Sequence, residues 1–95
     1  MPAYVILNIE VTDPDTFARY RELAPPAIAA YGGQYLARGG ETQVLEGAWQ
    51  PKRLVLLQFP SVERATAWLA SPEYREARLL RHASTRTDAI VVQGL

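Results

Sequence analysis

The sequence predicts an α+β fold, in which a four-stranded antiparallel sheet carries helices on one face. Residues 3–11 and 53–59 are rich in aliphatic side chains, as strands are. Proline follows a capping residue at Asp13 and again at Ser71, which is typical of helix starts. The 95 residues, 48% of them hydrophobic and 21% charged, are enough for one domain over 1–95 and too few for two.

The first strand and helix follow from alternation and proline placement. Alternating residues over 3–11 predict a strand with both faces partly buried. In the following helix, the proline pair 25–26 removes two backbone donors and restricts the residue before it, so we expect a break or kink near Ala24. The helix then resumes through Tyr31.

Glycine pairs bound the next part of the chain. The pair 32–33 suits the left-handed position that ends a helix. Strand-like residues 34–38 and 42–47 flank the pair 39–40, and a Gly-Gly turn supplies the positive φ values of a tight reversal. We therefore expect an antiparallel hairpin here.

The second half predicts a central strand, two helical pieces and a closing strand. Residues 53–59 are apolar on both faces and end at Pro60. Ser61 can cap a helix with an apolar stripe, and Ser71 can cap a second helical piece after a break. Residues 88–93 form the last strand, so the order βαββαβ indicates a ferredoxin-like fold.

Several strands carry apolar residues on both faces, while the helices can cover only one. A lone domain would leave an apolar sheet face in water, beyond what is normal for a monomer. The sequence therefore predicts a homodimer that packs sheet against sheet.

A set of short motifs along the chain resembles one family. The motifs are Arg38-Gly39-Gly40, Leu45-Glu46-Gly47 with Trp49, Pro51 and Arg53, Phe59-Pro60-Ser61, Trp68, and Ser71-Pro72-Glu73-Tyr74. Together they resemble the domain of unknown function family thirteen-thirty. This resemblance implies the dimeric α/β-barrel superfamily, whose members include cofactor-independent quinol monooxygenases, muconolactone isomerases and dye-decolourising or heme-handling proteins. The family itself has no agreed reaction.

Aromatic residues on the helices are candidates for a pocket between helix and sheet. Tyr20, Trp68 and Tyr74 could line such a pocket and would suit a small hydrophobic or aromatic ligand. Aromatics at helical spacing are also typical of an ordinary core. Leu69 stands where the family pattern places a tyrosine after Trp68, so any chemistry of that hydroxyl would be missing.

Two arginines near the hairpin are candidates for an anion site. Arg38, Glu46, Trp49 and Arg53 come within a short stretch of structure, and a guanidinium group can bind a carboxylate through two hydrogen bonds. They could hold an acidic or enolic ligand. Alternatively, Arg38 or Arg53 pairs with Glu46 and fixes the hairpin.

Two further polar residues could serve a pocket. Asn8 lies among aliphatic residues of a strand, so it either faces a ligand or bonds to a neighbouring loop. His82 could act as a general base, or it could belong to a solvated basic face with Arg75, Arg78 and Arg81.

Composition narrows the possible partners. The 10 basic and 10 acidic residues balance, which argues against nucleic acid or an anionic membrane as partner. With no cysteine and one histidine, we expect no metal site, and no nucleotide-binding motif is present. The start lacks the features of a signal peptide, and no apolar run approaches the roughly 18 residues of a membrane helix, which predicts a cytoplasmic protein.

The leading functional hypothesis is a small-molecule enzyme without cofactor, monooxygenase-like or isomerase-like. The alternative is a non-catalytic ligand-binding or structural homodimer, in which the arginines form only salt bridges. Fold alone does not decide between them.

Overall fold

The computed structural model describes residues 1–95 and has the expected order βαββαβ. The elements are β1 (Ala3–Val11), α1 (Pro14–Ala30), β2 (Gln34–Arg38), β3 (Arg53–Phe59), α2 (Val62–Ala70), α3 (Pro72–Ser84) and β4 (Thr85–Gln93). The four strands form one antiparallel sheet in the order β2-β3-β1-β4. The predicted four-stranded ferredoxin-like architecture is therefore confirmed.

One face of the sheet packs against the helices and forms the core. Val5, Leu7 and Ile9 of β1 are buried on this face, and Leu57 and Val55 of β3 lie opposite Val5 and Leu7 in register. The alternation of a strand places these residues on one side. Each such side chain contributes roughly 1.5–3 kcal/mol of hydrophobic stabilisation when fully buried.

The predicted helix caps are formed. The Asp13 carboxylate accepts hydrogen bonds from the Thr16 backbone N–H and hydroxyl. The Ser71 hydroxyl accepts from the Tyr74 N–H and donates to the Trp68 carbonyl. Ser71 therefore ends α2 and starts α3, which accounts for the expected break between the two helices.

Helix α1 runs without a break through Pro25 and Pro26, so of the break or kink predicted near Ala24, the break is wrong. Pro25 has no N–H to donate to the Arg21 carbonyl four residues earlier. Instead, Arg38 donates a hydrogen bond from Nη2 to that carbonyl at 2.9 Å. A side chain from β2 thus satisfies the acceptor that the proline leaves without a helical partner.

The expected strand 42–47 is absent, so the tight hairpin through Gly40 is also wrong. Strand β2 pairs instead with β3, and an exposed connection over 39–52 joins them. The more apolar β3 offers buried side chains to the core, whereas residues 42–47 would lie outside β2 with no helix to cover them.

Strand β4 begins at Thr85 rather than at Asp88. The chain passes directly from α3 into the strand, and the Ser84 carbonyl accepts hydrogen bonds from the N–H groups of Thr12 and Asp13. These bonds extend the pairing of β4 with β1 as far as Val11.

No helix covers the second face of the sheet, which is called the open face below. It carries Tyr4 and Ile6 of β1, with Val92 and Ile90 of β4 opposite them, and Leu56 of β3. Ile90 is 61% exposed and Val92 is 48% exposed. The fold therefore presents apolar side chains to solvent on this side. None of the helices is long and apolar enough to cross a membrane.

Candidate functional site

A cavity lies between α1 and the covered face of the sheet, at the end where β2 stops and β3 starts. Its volume is about 20 Å³, which is room for about one water molecule. Its wall contains Leu7, Ile9, Phe17, Tyr20, Arg21, Ile28, Tyr35, Arg38, Arg53, Val55 and Leu57. Three arginines and two tyrosines contribute its polar residues and no carboxylate lines it, so the charged side chains of its wall are all cationic.

Arg53 is the least exposed of the three arginines that line the cavity. Its guanidinium lies 5.5 Å from the centre of the Phe17 ring. Its Nε atom is buried and has no hydrogen-bond partner. Burial lowers the pKa of Arg53, and the nearby charges of Arg21 and Arg38 lower it further. A buried donor without an acceptor is uncommon, because its desolvation is left uncompensated.

Gly39 leaves room for the Arg53 guanidinium. The backbone of Gly39 has a φ of 71°, and its N–H donates to the Leu54 carbonyl at 2.8 Å. A Cβ atom at this position would collide with the Arg53 guanidinium. The positive φ and the close approach of the cation therefore both favour glycine at this position.

Arg38 and Tyr35 form the β2 side of the cavity. The Arg38 guanidinium lies 4.7 Å from the centre of the Tyr35 ring, while one of its nitrogens donates to the Arg21 carbonyl. Burial raises the pKa of Tyr35, although the positive charge of Arg38 opposes this. Tyr35 therefore stays a neutral phenol beside the three arginines.

A buried hydrogen-bonded group lies behind the cavity. The hydroxyls of Tyr20 and Tyr74 are 2.8 Å apart, and Arg81 donates from Nε to the Tyr74 hydroxyl at 3.3 Å. Arg81 is only 5% exposed. Burial, followed by the neighbouring Tyr74, raises the pKa of Tyr20 far above its ordinary value. This group is defined here as the Tyr20–Tyr74–Arg81 chain.

The structure brings together three of the residues predicted from sequence, since Tyr20, Arg38 and Arg53 all line the cavity. Tyr74 lies behind Tyr20. Trp68 packs in the core, with its ring centre 4.4 Å from that of Tyr74. It lines a second, apolar pocket of about 110 Å³ between α2 and the sheet rather than the arginine-lined cavity.

Asn8 and Trp49 lie on the open face instead. The Asn8 side-chain oxygen accepts a hydrogen bond from the Lys52 N–H at 2.9 Å, which anchors the connection 39–52. Trp49 lies near Ile6 and Ile90 of the open face and is 63% exposed. Both residues are therefore away from the arginine-lined cavity.

Glu46 and His82 are exposed and lie apart from the cavity. Glu46 belongs to the connection between β2 and β3. His82 lies near the end of α3, where burial first and the charges of Arg81 and Arg78 next lower its pKa. Arg81 itself is buried against Tyr74, so it does not belong to the solvated basic face predicted for this helix.

Sequence reasoning missed Arg21, Tyr35 and Arg81. The sequence could have indicated Arg21, because Pro25 has no N–H to donate to its carbonyl and another donor must replace it. The sequence could also have indicated Arg81, since it lies seven residues after Tyr74 and therefore on the same face of α3. Nothing in the sequence indicated Tyr35, because the register of β2 against β3 shifts directly after it and local alternation does not predict that shift.

The fold recurs in solved structures with low sequence identity. A protein of unknown function from Rhodopseudomonas palustris matches with a TM-score of 0.80 at 20% identity, over 99% of this chain and 82% of that chain. SnoaB, a cofactor-independent oxygenase from Streptomyces nogalater, matches with a TM-score of 0.67 at 11% identity, over 99% and 93%. A dimeric ferredoxin-like protein of unknown function from Jannaschia sp. CCS1 also reaches 0.67, at 13% identity, over 99% and 100%.

No curated protein matches the chain. The family model of a domain of unknown function, DUF1330, matches residues 2–95. This match covers nearly the whole sequence and agrees with the resemblance found in the motifs. The chain therefore belongs to the DUF1330 family.

Proposed function

We propose that this protein is a homodimeric small-molecule enzyme that binds its substrate as an anion in the cavity between α1 and the sheet. The observation that carries the proposal is the buried Nε of Arg53, which has no acceptor although Arg21 and Arg38 add further positive charge. A carboxylate, enolate or phenolate oxygen would supply the missing acceptor and offset this charge.

The size of the cavity determines which part of the substrate enters. A volume of about 20 Å³ accepts one oxygen-sized group and is too small for an aromatic ring. The anionic group therefore enters first, and the body of the substrate extends past the half-buried Tyr35 and the exposed Arg38 toward solvent. This geometry favours a small molecule that carries its charge at one end.

The chemistry of the lining restricts the reaction. No carboxylate or histidine lines the cavity. Its arginines are protonated and its tyrosines are neutral phenols, so none of these side chains can accept a proton as a general base. The substrate must therefore be acidic enough to arrive ionised. Fixed positive groups stabilise an electron-rich oxygen without reorganising, which suits reactions that pass through an enolate or phenolate. SnoaB, with the same fold, is a cofactor-independent oxygenase.

The dimer is supported by the open face. Ile90 and Val92 expose apolar surface there, and similar folds from Jannaschia sp. CCS1 and Thermobifida fusca are described as dimeric. A second copy, related by a two-fold axis, would cover each open face with the other. The proposed dimer acts in the cytoplasm, as the sequence predicts.

The test uses benzoate and its neutral isostere benzamide in an NMR titration that follows the side-chain Nε–H signal of Arg53. We expect benzoate to shift this signal and benzamide to leave it unchanged. Arg53→Gln should abolish the response of the cavity to benzoate. The matched control Arg75→Gln removes an equal charge from the exposed surface of α3 and should bind benzoate as the wild type does. Equal responses to both compounds, or none to benzoate, would contradict an anion site.

A structural role for the arginines is the second candidate, and one observation favours it. Arg38 already bonds to the Arg21 carbonyl and stacks on Tyr35, so it stabilises α1 without any ligand. In that case Arg38→Ala and Arg53→Ala would each lower the free energy of unfolding while leaving the affinity for benzoate unchanged.

A further inference from the structure

A buried cation without a carboxylate partner lies at the end of the Tyr20–Tyr74–Arg81 chain. We propose that the Tyr20 hydroxyl donates a hydrogen bond to the bound anion, and that Arg81 fixes the direction of this donation through Tyr74. Tyr20 is thus a ligand-binding residue, and Arg81 is a positioning residue that never touches the ligand. The inference rests on the proposed anion site.

The direction follows from which atoms can donate. Arg81 has donors only, so the Tyr74 oxygen must accept in the 3.3 Å bond between them. Between Tyr74 and Tyr20, whose hydroxyls are 2.8 Å apart, either group could be the donor. Two arrangements therefore exist, and they differ in where one hydroxyl proton is left over.

Burial selects between the two arrangements. If Tyr20 donated to Tyr74, the Tyr74 proton would remain unpaired in the core, because Tyr74 is fully buried and its hydroxyl contacts only Tyr20 and Arg81. If Tyr74 donates to Tyr20, the spare proton belongs to Tyr20, which lines the cavity, and the cavity has room for a water molecule or a ligand atom to accept it. An unpaired buried donor is costly, so the second arrangement is the stable one.

The resulting chain runs from Arg81 through Tyr74 to Tyr20 and points its last donor at the cavity. Hydrogen bonds that run in one direction polarise one another, which strengthens the last donor. Because burial raises the pKa of Tyr20, the phenol stays protonated and able to donate. Because Arg53 lines the same cavity, the cavity offers a guanidinium donor and a phenol donor to a bound anion.

The site therefore selects oxyanions. A carboxylate, enolate or phenolate oxygen has enough lone pairs to accept from a guanidinium N–H and a phenol O–H together. A neutral amide such as benzamide can also accept hydrogen bonds, but it gains nothing from the uncompensated charge of the arginines. The ligand class named here is a small organic oxyanion.

Tyr20→Phe tests the donor with little change of shape. We expect it to weaken benzoate binding about tenfold or more, as is typical for a lost hydrogen bond to a charged group. Tyr31→Phe is the matched control, because it removes a phenol that bonds to Glu73 on the exposed surface. It should bind benzoate as the wild type does.

Arg81→Met tests the positioning role, with the ¹³Cζ signal of Tyr20 as the readout. In the wild type, benzoate should shift this signal, because the phenol gains an acceptor. In Arg81→Met, the shift should be lost and binding should weaken, while the Arg53 Nε–H signal still responds to benzoate. A purely structural Arg81 would lower the free energy of unfolding and leave both benzoate responses intact. If Arg81→Met does not fold, the Tyr20 ¹³Cζ signal in Tyr74→Phe gives the same test.

The outcomes separate this inference from the proposed function. If benzoate fails to shift the Arg53 signal in the wild type, the anion site is wrong and this inference falls with it. If Arg53→Gln abolishes binding but Tyr20→Phe binds normally, only the inference on Tyr20 is overturned. If Tyr20→Phe weakens binding but Arg81→Met keeps the ¹³Cζ shift, the positioning role of Arg81 is overturned.

Discussion

Along β1, Val5, Leu7 and Ile9 face the helices and are buried, whereas Ile6 and Asn8 point the other way and stay partly exposed. The covered face encloses a cavity whose charged residues are all arginines. The open face carries apolar side chains and one asparagine bonded to a loop. Strand alternation thus lets a chain of 95 residues place a cationic site on one side of a sheet and an apolar surface on the other.

The largest expected effect compares two neighbouring residues of β1. Leu7→Ala should lower the free energy of unfolding by about 2–5 kcal/mol, because it leaves a cavity in the core. Ile6→Ala, on the open face, should cost less, and its cost should change with protein concentration if a second copy covers it. Urea unfolding at two protein concentrations measures both. Equal losses that do not depend on concentration would remove the distinction between the faces.

Charge on the open face should break the proposed dimer. Ile90→Arg would place two like charges in the proposed two-fold interface, so the dissociation constant of the dimer should rise at least about tenfold. Leu79→Arg is the control, since Leu79 is exposed on α3 rather than on the sheet. Sedimentation measurements on both variants decide the matter, and a dimer that survives Ile90→Arg would show that the open face is not the interface.

A smaller effect concerns the glycine beside the covered cavity. Gly39→Ala should lower the free energy of unfolding by about 1–2 kcal/mol, because alanine disfavours a positive φ. It should also weaken benzoate binding by displacing the Arg53 guanidinium. Gly40→Ala is the matched control, since a Cβ there meets no atom within 4 Å. Similar losses of benzoate affinity in both variants would show that Gly39 has no specific effect on the anion site.

The smallest effect is a pH dependence on α3, outside both faces. The pKa of His82 is lowered in the folded state, so the unfolded chain binds more protons near its ordinary pKa of about 6.5. This group's contribution to stability is therefore present above that pH and is lost as the pH falls through it. His82→Gln should reduce the fall in stability between neutral and mildly acidic pH. A pH profile identical to the wild type would contradict the assigned shift.

Local patterns predicted most of the fold, because they depend on neighbouring residues. The caps at Asp13 and Ser71 and the strands 3–11 and 53–59 needed no tertiary information. Helix α1 was harder, since its passage through Pro25 depends on Arg38, a residue distant in sequence. Residues 42–47 have a strand-like composition but form no strand, and this also depends on tertiary structure, because no covered position in the sheet is available to them.

The candidate site was partly predictable for the same reason. Arg38 and Arg53 are predictable because they lie within a short stretch of the chain around the turn, and both line the cavity. Their expected partner Glu46 is exposed in the connection, so the uncompensated charge of the cavity became visible only in three dimensions. The contribution of Arg81 likewise depended on its burial, which composition and charge patterning do not reveal.

The most direct test of the central claim is a crystal structure of the protein with 4-bromobenzoate, in which the anomalous signal of bromine locates the ligand. We expect the carboxylate within hydrogen-bond distance of Arg53 Nε, with the bromine toward solvent, in a dimer that buries the open face. A carboxylate bound away from the three arginines, or a ligand lying on the open face, would contradict the division of roles between the two faces.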